Sequence, residues 1–324
     1  MTTRCYYINI LDPYFNLATE EYLLKNTEDD IFMLWRGESS IVVGKHQNAL
    51  AEINHAYVEE QGLKVARRLS GGGTVFHDPG NINFTFIRHV EHIDKLNYAQ
   101  FLDDVKAVLA DLGLTISNSM RDDLMLDGFK ISGNAQHVHK NRVLHHGTLL
   151  FDSELRRLKN ALKVDLSRFE HKAVQSNRSV VANIRPYLKK DMTIPDFFDY
   201  LFTSISNRMP HPKVFSLSEN DKAQIAKLCA EKYSQWDWIY GYSPKYFYRN
   251  QFQSKPLAVQ LTVQRGRVVS ATWEGVSEDF ASLLNDALLD CRHEWCEVDW
   301  ALRPFESLWR SNGYKLSEVM QLLF

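Results

Sequence analysis

Two arginines followed closely by three glycines form an arrangement able to hold an anion. The stretch reads Arg67-Arg68-Leu69-Ser70-Gly71-Gly72-Gly73-Thr74-Val75-Phe76-His77-Asp78-Pro79-Gly80-Asn81. Consecutive glycines let the backbone enter dihedrals closed to other residues and approach a ligand closely. Successive N–H groups in such a turn make an anion-binding concavity, and the Arg68 guanidinium could add a charge-assisted fork to a phosphate or carboxylate. Taken alone, the glycines fit a loose hairpin turn at least as well. The string is neither the G-x-x-x-x-G-K-[ST] phosphate loop nor the dinucleotide G-x-G-x-x-G.

A second block follows in order: Asp123-Leu124, then Gly128-Phe129-Lys130-Ile131-Ser132-Gly133-Asn134-Ala135, then His145-His146-Gly147-Thr148-Leu149-Leu150. Together the two blocks resemble the signature of lipoate-protein ligases of the two-domain bacterial type, R-R-x-S-G-G-G-x-V-x-H-D-x-G-N with its downstream partner. Asn16-Leu17-Ala18-Thr19-Glu20-Glu21, Val43-Gly44-Lys45-His46-Gln47-Asn48 and Trp236-Asp237-Trp238 through Pro244-Lys245 extend the resemblance over most of the chain. It implies an α/β (α+β) fold: a mixed-sheet catalytic domain like class II aminoacyl-tRNA synthetases and biotin synthetases, with a small α+β accessory domain behind it. The expected boundary lies between residues 246 and 247 of the 324.

The implied chemistry joins a carboxylic acid to a lysine. A carboxylate is a poor acyl acceptor, so it is first activated with ATP as an adenylate. The site then needs donors for the α-phosphate and a cation where charge develops. By the resemblance Lys130 is that cation, an electrostatic clamp on the acyl carbonyl and phosphate. By its residues alone it is a hairpin lysine two places after Asp127-Gly128. Arg68, Gly73, Thr74, Val75, Phe76, Lys130 and Arg178 are expected at ATP or the adenylate. Ser70, Gly71, Gly72, His77, Gly133, His146 and Lys130 are expected around lipoate. Each of the two histidines fits a core or turn role equally well. Asp122 and Asp123 are expected to hold Mg²⁺ with phosphate oxygens, although Asp123 could simply cap a turn.

The segment Ser176-Asn177-Arg178-Ser179-Val180-Val181-Ala182-Asn183 departs from the R-S-R-V-x-N of many bacterial ligases. Val180 stands where a second arginine is expected, which leaves adenylation less secure than acyl transfer. Three readings follow: a full ligase using ATP, Mg²⁺ and lipoate; a lipoyltransferase fed with preformed lipoyl-adenylate; and a non-catalytic lipoate-binding module. Implied partners are lipoyl acceptor domains of 2-oxoacid dehydrogenase E2 subunits or the glycine cleavage H protein.

Other chemistries find less support. His137 and His139 share a strand face, but no cysteine or third histidine completes a familiar zinc spacing. No G-x-S-x-G elbow is present. Cys5, Cys229, Cys291 and Cys296 lie outside both blocks, so a thioester route has no nucleophile there, and Cys229 is expected to be buried in a helix. Without C-x-x-C pairs or a disulfide spacing, the chain reads as reduced and cytoplasmic. A net charge of −2 argues against a nucleic-acid or polybasic membrane surface, and no apolar run approaches a membrane span.

Elements able to position these groups can be read along the chain. Helices are expected over 16–25, 49–61 (capped by Asn48), 98–112, 153–161, 195–207, 218–233 and 280–289. Strands are expected over 31–35, 40–43, 64–68, 74–77, 81–86, 114–117, 123–126, 129–138, 142–151, 257–264 and 267–272. The stretch 164–183 has little periodicity and reads as a functional loop.

Overall fold

The computed structural model describes residues 2–92, 97–120, 123–176 and 179–324. In chain order the first elements are β1 (Thr3–Ile8), α1 (Pro13–Asn26), β2 (Asp30–Arg36), β3 (Ser40–Val43), α2 (His55–Gln61), β4 (Lys64–Arg67), β5 (Val75–His77) and β6 (Asn81–His89). There follow α3 (Asp103–Asp111), β7 (Ile116–Asn118), β8 (Leu124–Leu126), β9 (Phe129–Ser132), β10 (Asn134–His139), β11 (Arg142–Leu150), α4 (Leu155–Ala161) and β12 (Phe169–His171). The remainder is α5 (Ile194–Ser206), β13 (Pro212–Phe215), α6 (Glu219–Leu228), β14 (Tyr246–Gln251), β15 (Ala258–Gln264), β16 (Arg267–Glu274), α7 (Glu278–Leu288), α8 (Trp295–Leu302), α9 (Glu306–Ser311) and α10 (Leu316–Leu323).

Two compact units emerge, one of Met1–Lys45, Leu63–Leu162 and Ser176–Gln235, the other of His46–Gly62, Lys163–Gln175 and Trp236–Phe324. The first is built on a mixed six-stranded sheet ordered β10-β11-β6-β2-β1-β13. Strand alternation gives that sheet two different faces. Phe32, Leu34, Phe84 and Phe86 join Val105, Val108 and Leu109 of α3 and Phe197, Phe198, Leu201 and Ile205 of α5 in one apolar core. Their sequence neighbours Trp35 and Thr85 face α1 instead, where Thr85 reaches Glu20. α1 starts at an Asp12 cap with Pro13 in its first turn. Arg142 of β11 closes its other end by donating to the carbonyls of Leu23 and Leu24 at 3.2 and 3.0 Å and to Thr27 and Asp29 beyond.

The second unit pairs β12-β14-β15-β16 and packs α7 to α10 around it. The mixed α/β architecture expected from the sequence is the one observed, although β1, β13 and β14 were not expected, and further local differences follow. The helix expected over 49–61 is a 3₁₀ turn at Ala49–Ala51 and then α2, because Asn54 rather than Asn48 caps it by accepting the Tyr57 N–H. The strand expected over 129–138 divides at Gly133 into β9 and β10, which belong to different sheets. Part of 164–183 is ordered as β12, too short to show periodicity but paired with β14. Finally, α6 ends at Leu228 in a π turn over Cys229–Tyr233, and Cys229 is half-buried rather than buried.

Candidate active site

The glycine stretch is not a hairpin. β4 runs parallel and β5 antiparallel to β3, one on each side, so the connection between them crosses the end of β3. Arg68 N–H donates to the Val43 carbonyl at 3.1 Å and Lys45 N–H to the Ser70 carbonyl at 2.9 Å. The Arg68 guanidinium holds the loop from inside: Nε donates to Ser70 Oγ at 3.0 Å, Nη1 to the Val42 carbonyl at 3.1 Å, and Nη2 to the carbonyls of Gly71 and Gly73 at 2.6 and 2.7 Å. Burial lowers this guanidinium to about 10, a shift opposed by the charge of Glu20. Gly72 sits at φ +85°, the left-handed region that favours glycine. At Gly73 a Cβ would meet Ser176 Oγ at 3.1 Å, and the same hydroxyl accepts the Thr74 N–H at 2.8 Å. Ser176 therefore lies over the loop.

Residues 180–182 reach β9. Lys130 N–H donates to the Val180 carbonyl at 3.0 Å, and Ala182 N–H donates to the Lys130 carbonyl at 3.1 Å. Val180 thus serves by main chain while its side chain is 71% exposed. The Lys130 ammonium pairs with Asp123 at 2.9 Å, both side chains largely shielded. It stands over Gly133, where a Cβ would lie 3.4 Å from Nζ. Gly133 is fixed on both sides by Thr148, whose Oγ1 accepts its N–H at 3.1 Å and whose N–H donates to its carbonyl at 3.0 Å. The Arg68-braced glycine loop, Ser176, residues 180–182, Lys130 and Gly133 are thereby linked by hydrogen bonds and close contacts.

The adjacent histidines of β11 point to opposite faces of the sheet. His145 stacks on Phe101 at 5.2 Å and, in the core, is lowered to about 3 by burial. His146 turns to the α1 side, with Nε2 2.6 Å from Ser70 Oγ and Nδ1 2.9 Å from Glu20 Oε2. His77 lies edge-on to Trp35 inside the fold, and burial lowers it to about 3 as well. It is a neutral core group in this conformation.

Of the residues expected at the site, Arg68, Ser70, Gly71, Gly72, Gly73 and Thr74 form the loop, and Lys130, Gly133 and His146 adjoin it. Val75 and Phe76 begin β5, with Phe76 buried. Arg178 and Asp122 lie outside the described residues. Asp123 faces Lys130. No group of three or more His, Cys, Asp or Glu able to hold a metal ion occurs among the described residues. Sequence reasoning did not find Glu20, Thr85 or Ser176 as site-forming residues. It also left Asp78-Pro79-Gly80 unexplained: Asp78 accepts the N–H groups of Gly80 and Glu154 at 2.9 and 2.7 Å, and a Cβ at Gly80 would strike the Asp152 carbonyl at 2.1 Å. That bend ties the end of β5 to the start of α4.

Comparison with known proteins agrees with this geometry. Residues 12–206 match the family described as lipoyl protein ligase A/B catalytic domain. The chain is 41% identical over 267 residues to lipoate-protein ligase LplJ of Bacillus subtilis, covering 80% of each chain. It is 35% identical over 307 residues to lipoate-protein ligase 1 of Staphylococcus aureus, covering 92% of each. Among solved structures, lipoate-protein ligase A bound with ATP is similar with a TM-score of 0.63 at 24% identity, covering 75% of this chain and all of that one.

Proposed function

The chain belongs to the lipoate-protein ligase family, and from that premise we infer that it joins lipoate to a lysine of an acceptor protein in two steps. Lipoate first attacks the α-phosphate of MgATP, giving lipoyl-adenylate and pyrophosphate. The ε-amine of the acceptor lysine then attacks the mixed anhydride and releases AMP. The observation that carries the reading is that Ser176 meets the Arg68-braced glycine loop while Val180 and Ala182 pair with Lys130.

Each group has a physical task. The backbone of the glycine loop and the Lys130 ammonium face charge on the phosphate and on the carbonyl oxygen as it develops. Lys130 has three donors and gives one to Asp123, which holds it in place without consuming it. Arg68 shapes the loop more than it contacts the nucleotide, since four of its bonds run inward. Ser70, Gly71, Gly72, Gly133 and His146 frame the lipoyl group, with His77 behind them. Arg178 is proposed to contact the adenylate. Mg²⁺ arrives with ATP as substrate, and Asp122 and Asp123 are the carboxylates proposed to hold it with phosphate oxygens.

The relatives named lipoate-protein ligase favour the full ligase over a transferase limited to preformed adenylate, despite Val180. Its carbonyl supports Lys130, a task any side chain allows. Residues 247–324 act as the accessory domain. Lipoyl domains of 2-oxoacid dehydrogenase E2 subunits or the glycine cleavage H protein are the acceptors, in a reducing cytoplasm that suits four free cysteines. No described helix is long and apolar enough to cross a membrane.

Adenylation is tested without an acceptor by lipoate-dependent exchange of labelled pyrophosphate into ATP. Exchange that requires lipoate supports the two-step reading. Its absence, in protein that still transfers from synthetic lipoyl-adenylate, would replace the ligase with the transferase.

A further inference from the structure

Between α1 and the glycine loop runs a single buried chain of hydrogen bonds. Trp35 Nε1–H donates to Thr85 Oγ1 at 3.2 Å, and Thr85 donates to Glu20 Oε1 at 2.6 Å. His146 Nδ1 stands 3.0 and 2.9 Å from the two Glu20 oxygens. His146 Nε2 stands 2.6 Å from Ser70 Oγ, which receives the Arg68 Nε–H at 3.0 Å. Glu20, Thr85, Ser70 and Arg68 are 3%, 0%, 0% and 6% exposed, so water does not compete for these bonds.

The chemistry of the members gives the chain a direction. An ionised carboxylate only accepts, so Nδ1 carries the ring hydrogen. In a neutral imidazole Nε2 is then the acceptor, and Ser70 must donate to it. The Ser70 oxygen is left with lone pairs for the Arg68 Nε–H. Every member from Trp35 to Arg68 is satisfied in this order. The chain also places a carboxylate at one end and a buried guanidinium toward the other, and a buried charge without a counter-charge is costly.

We propose that Glu20 is a positioning residue for the ligand loop: it sets the tautomer of His146, His146 orients Ser70, and Ser70 with Arg68 holds Gly71-Gly72-Gly73 in the shape that receives lipoyl-adenylate. This rests on the ligase reading for the identity of the ligand, and on the hydrogen-bond chain alone for the shape of the loop. Ser70, His146 and Glu20 also have the order of a nucleophilic triad. Two features favour positioning: the Ser70 side chain is fully enclosed, and its oxygen already receives the arginine N–H.

The full-length protein carrying Glu20→Gln or Glu20→Ala tests this through hydrogen exchange of the peptide spanning 68–76, measured without ligands, and through kcat and KM for lipoate and the acceptor domain. Both variants are expected to exchange the loop amides about tenfold or more faster, the loss of one charge-assisted bond. Glu20→Gln, which keeps an acceptor for Nδ1, is expected to be the milder. Lipoylation kcat is expected to fall by a similar factor while KM for the acceptor domain stays unchanged. Because the substitution to alanine could unfold the chain, the glutamine variant, at an unchanged melting midpoint, is the deciding one. Loop exchange equal to wild type in that folded variant would overturn the proposal, as would an acyl adduct on Ser70 in the quenched wild-type reaction. Loosened loop amides in a protein that modifies no acceptor would uphold the positioning chain and count against the ligase.

Discussion

Lys130 is the residue to which the ligase reading assigns charge stabilisation. It is fixed by Asp123 through its charge and by Val180 and Ala182 through its backbone. Lys130→Ala is expected to lower acceptor modification by about 10²-fold or more, the scale of removing one preorganised charge stabiliser. The same change should alter stability by less than about 1 kcal/mol, since one partly exposed ion pair is lost. Steady-state rates and urea midpoints on one preparation separate the two effects. The buried histidines make a different prediction. Burial lowers His77 and His145 to about 3 from an ordinary 6.5, so both stay neutral where the unfolded chain takes up protons. The unfolded state binds more protons across that window, and stability must fall as pH falls through it, by about 1.4 kcal/mol per pH unit for each histidine at full effect. Urea midpoints measured from about pH 7 to about pH 4 should show this loss, with a shallower slope in His145→Gln.

α1 is the element on which the site leans hardest, because it brings Glu20 to the loop side of the sheet. Its last carbonyls have no partners within the helix and are met by the Arg142 guanidinium. Arg142→Ala strands the buried Leu24 carbonyl and removes a partner from the carbonyls of Leu23, Thr27 and Asp29, and is expected to cost about 3 kcal/mol, readable in a denaturant titration. Much of this level was legible in the sequence. The apolar spacing of α3 and the Asp127-Gly128 turn announced themselves, the latter now seen with φ of 49° and 81°. The signature strings named the loop and Lys130. What stayed hidden has a common cause. Glu20 and His146 are 126 residues apart, and only the sheet brings them together. The division of 129–138 at Gly133 was equally hidden, since β9 and β10 read as one strand until their partners are known.

At the scale of the whole molecule, the fold supplies a six-stranded sheet, a braced loop and Ser176 against that loop, all within the unit of Met1–Lys45, Leu63–Leu162 and Ser176–Gln235. The candidate residues could be named from the sequence, whereas the bonds that Arg68 and Ser70 make could not. Arg68 reads in sequence as a ligand for phosphate, yet in the fold its guanidinium is occupied by Val42, Ser70, Gly71 and Gly73. A motif reports that a residue is required, and only packing separates contact from support. The account stands or falls on whether this machinery makes the amide. The most direct measurement is the intact mass of a purified lipoyl acceptor domain after incubation with the protein, once with lipoate and MgATP and once with synthetic lipoyl-adenylate alone. The account predicts a single lipoyl increment on the acceptor in both reactions. An acceptor left unmodified in both, yet lipoylated by a known ligase, would contradict it.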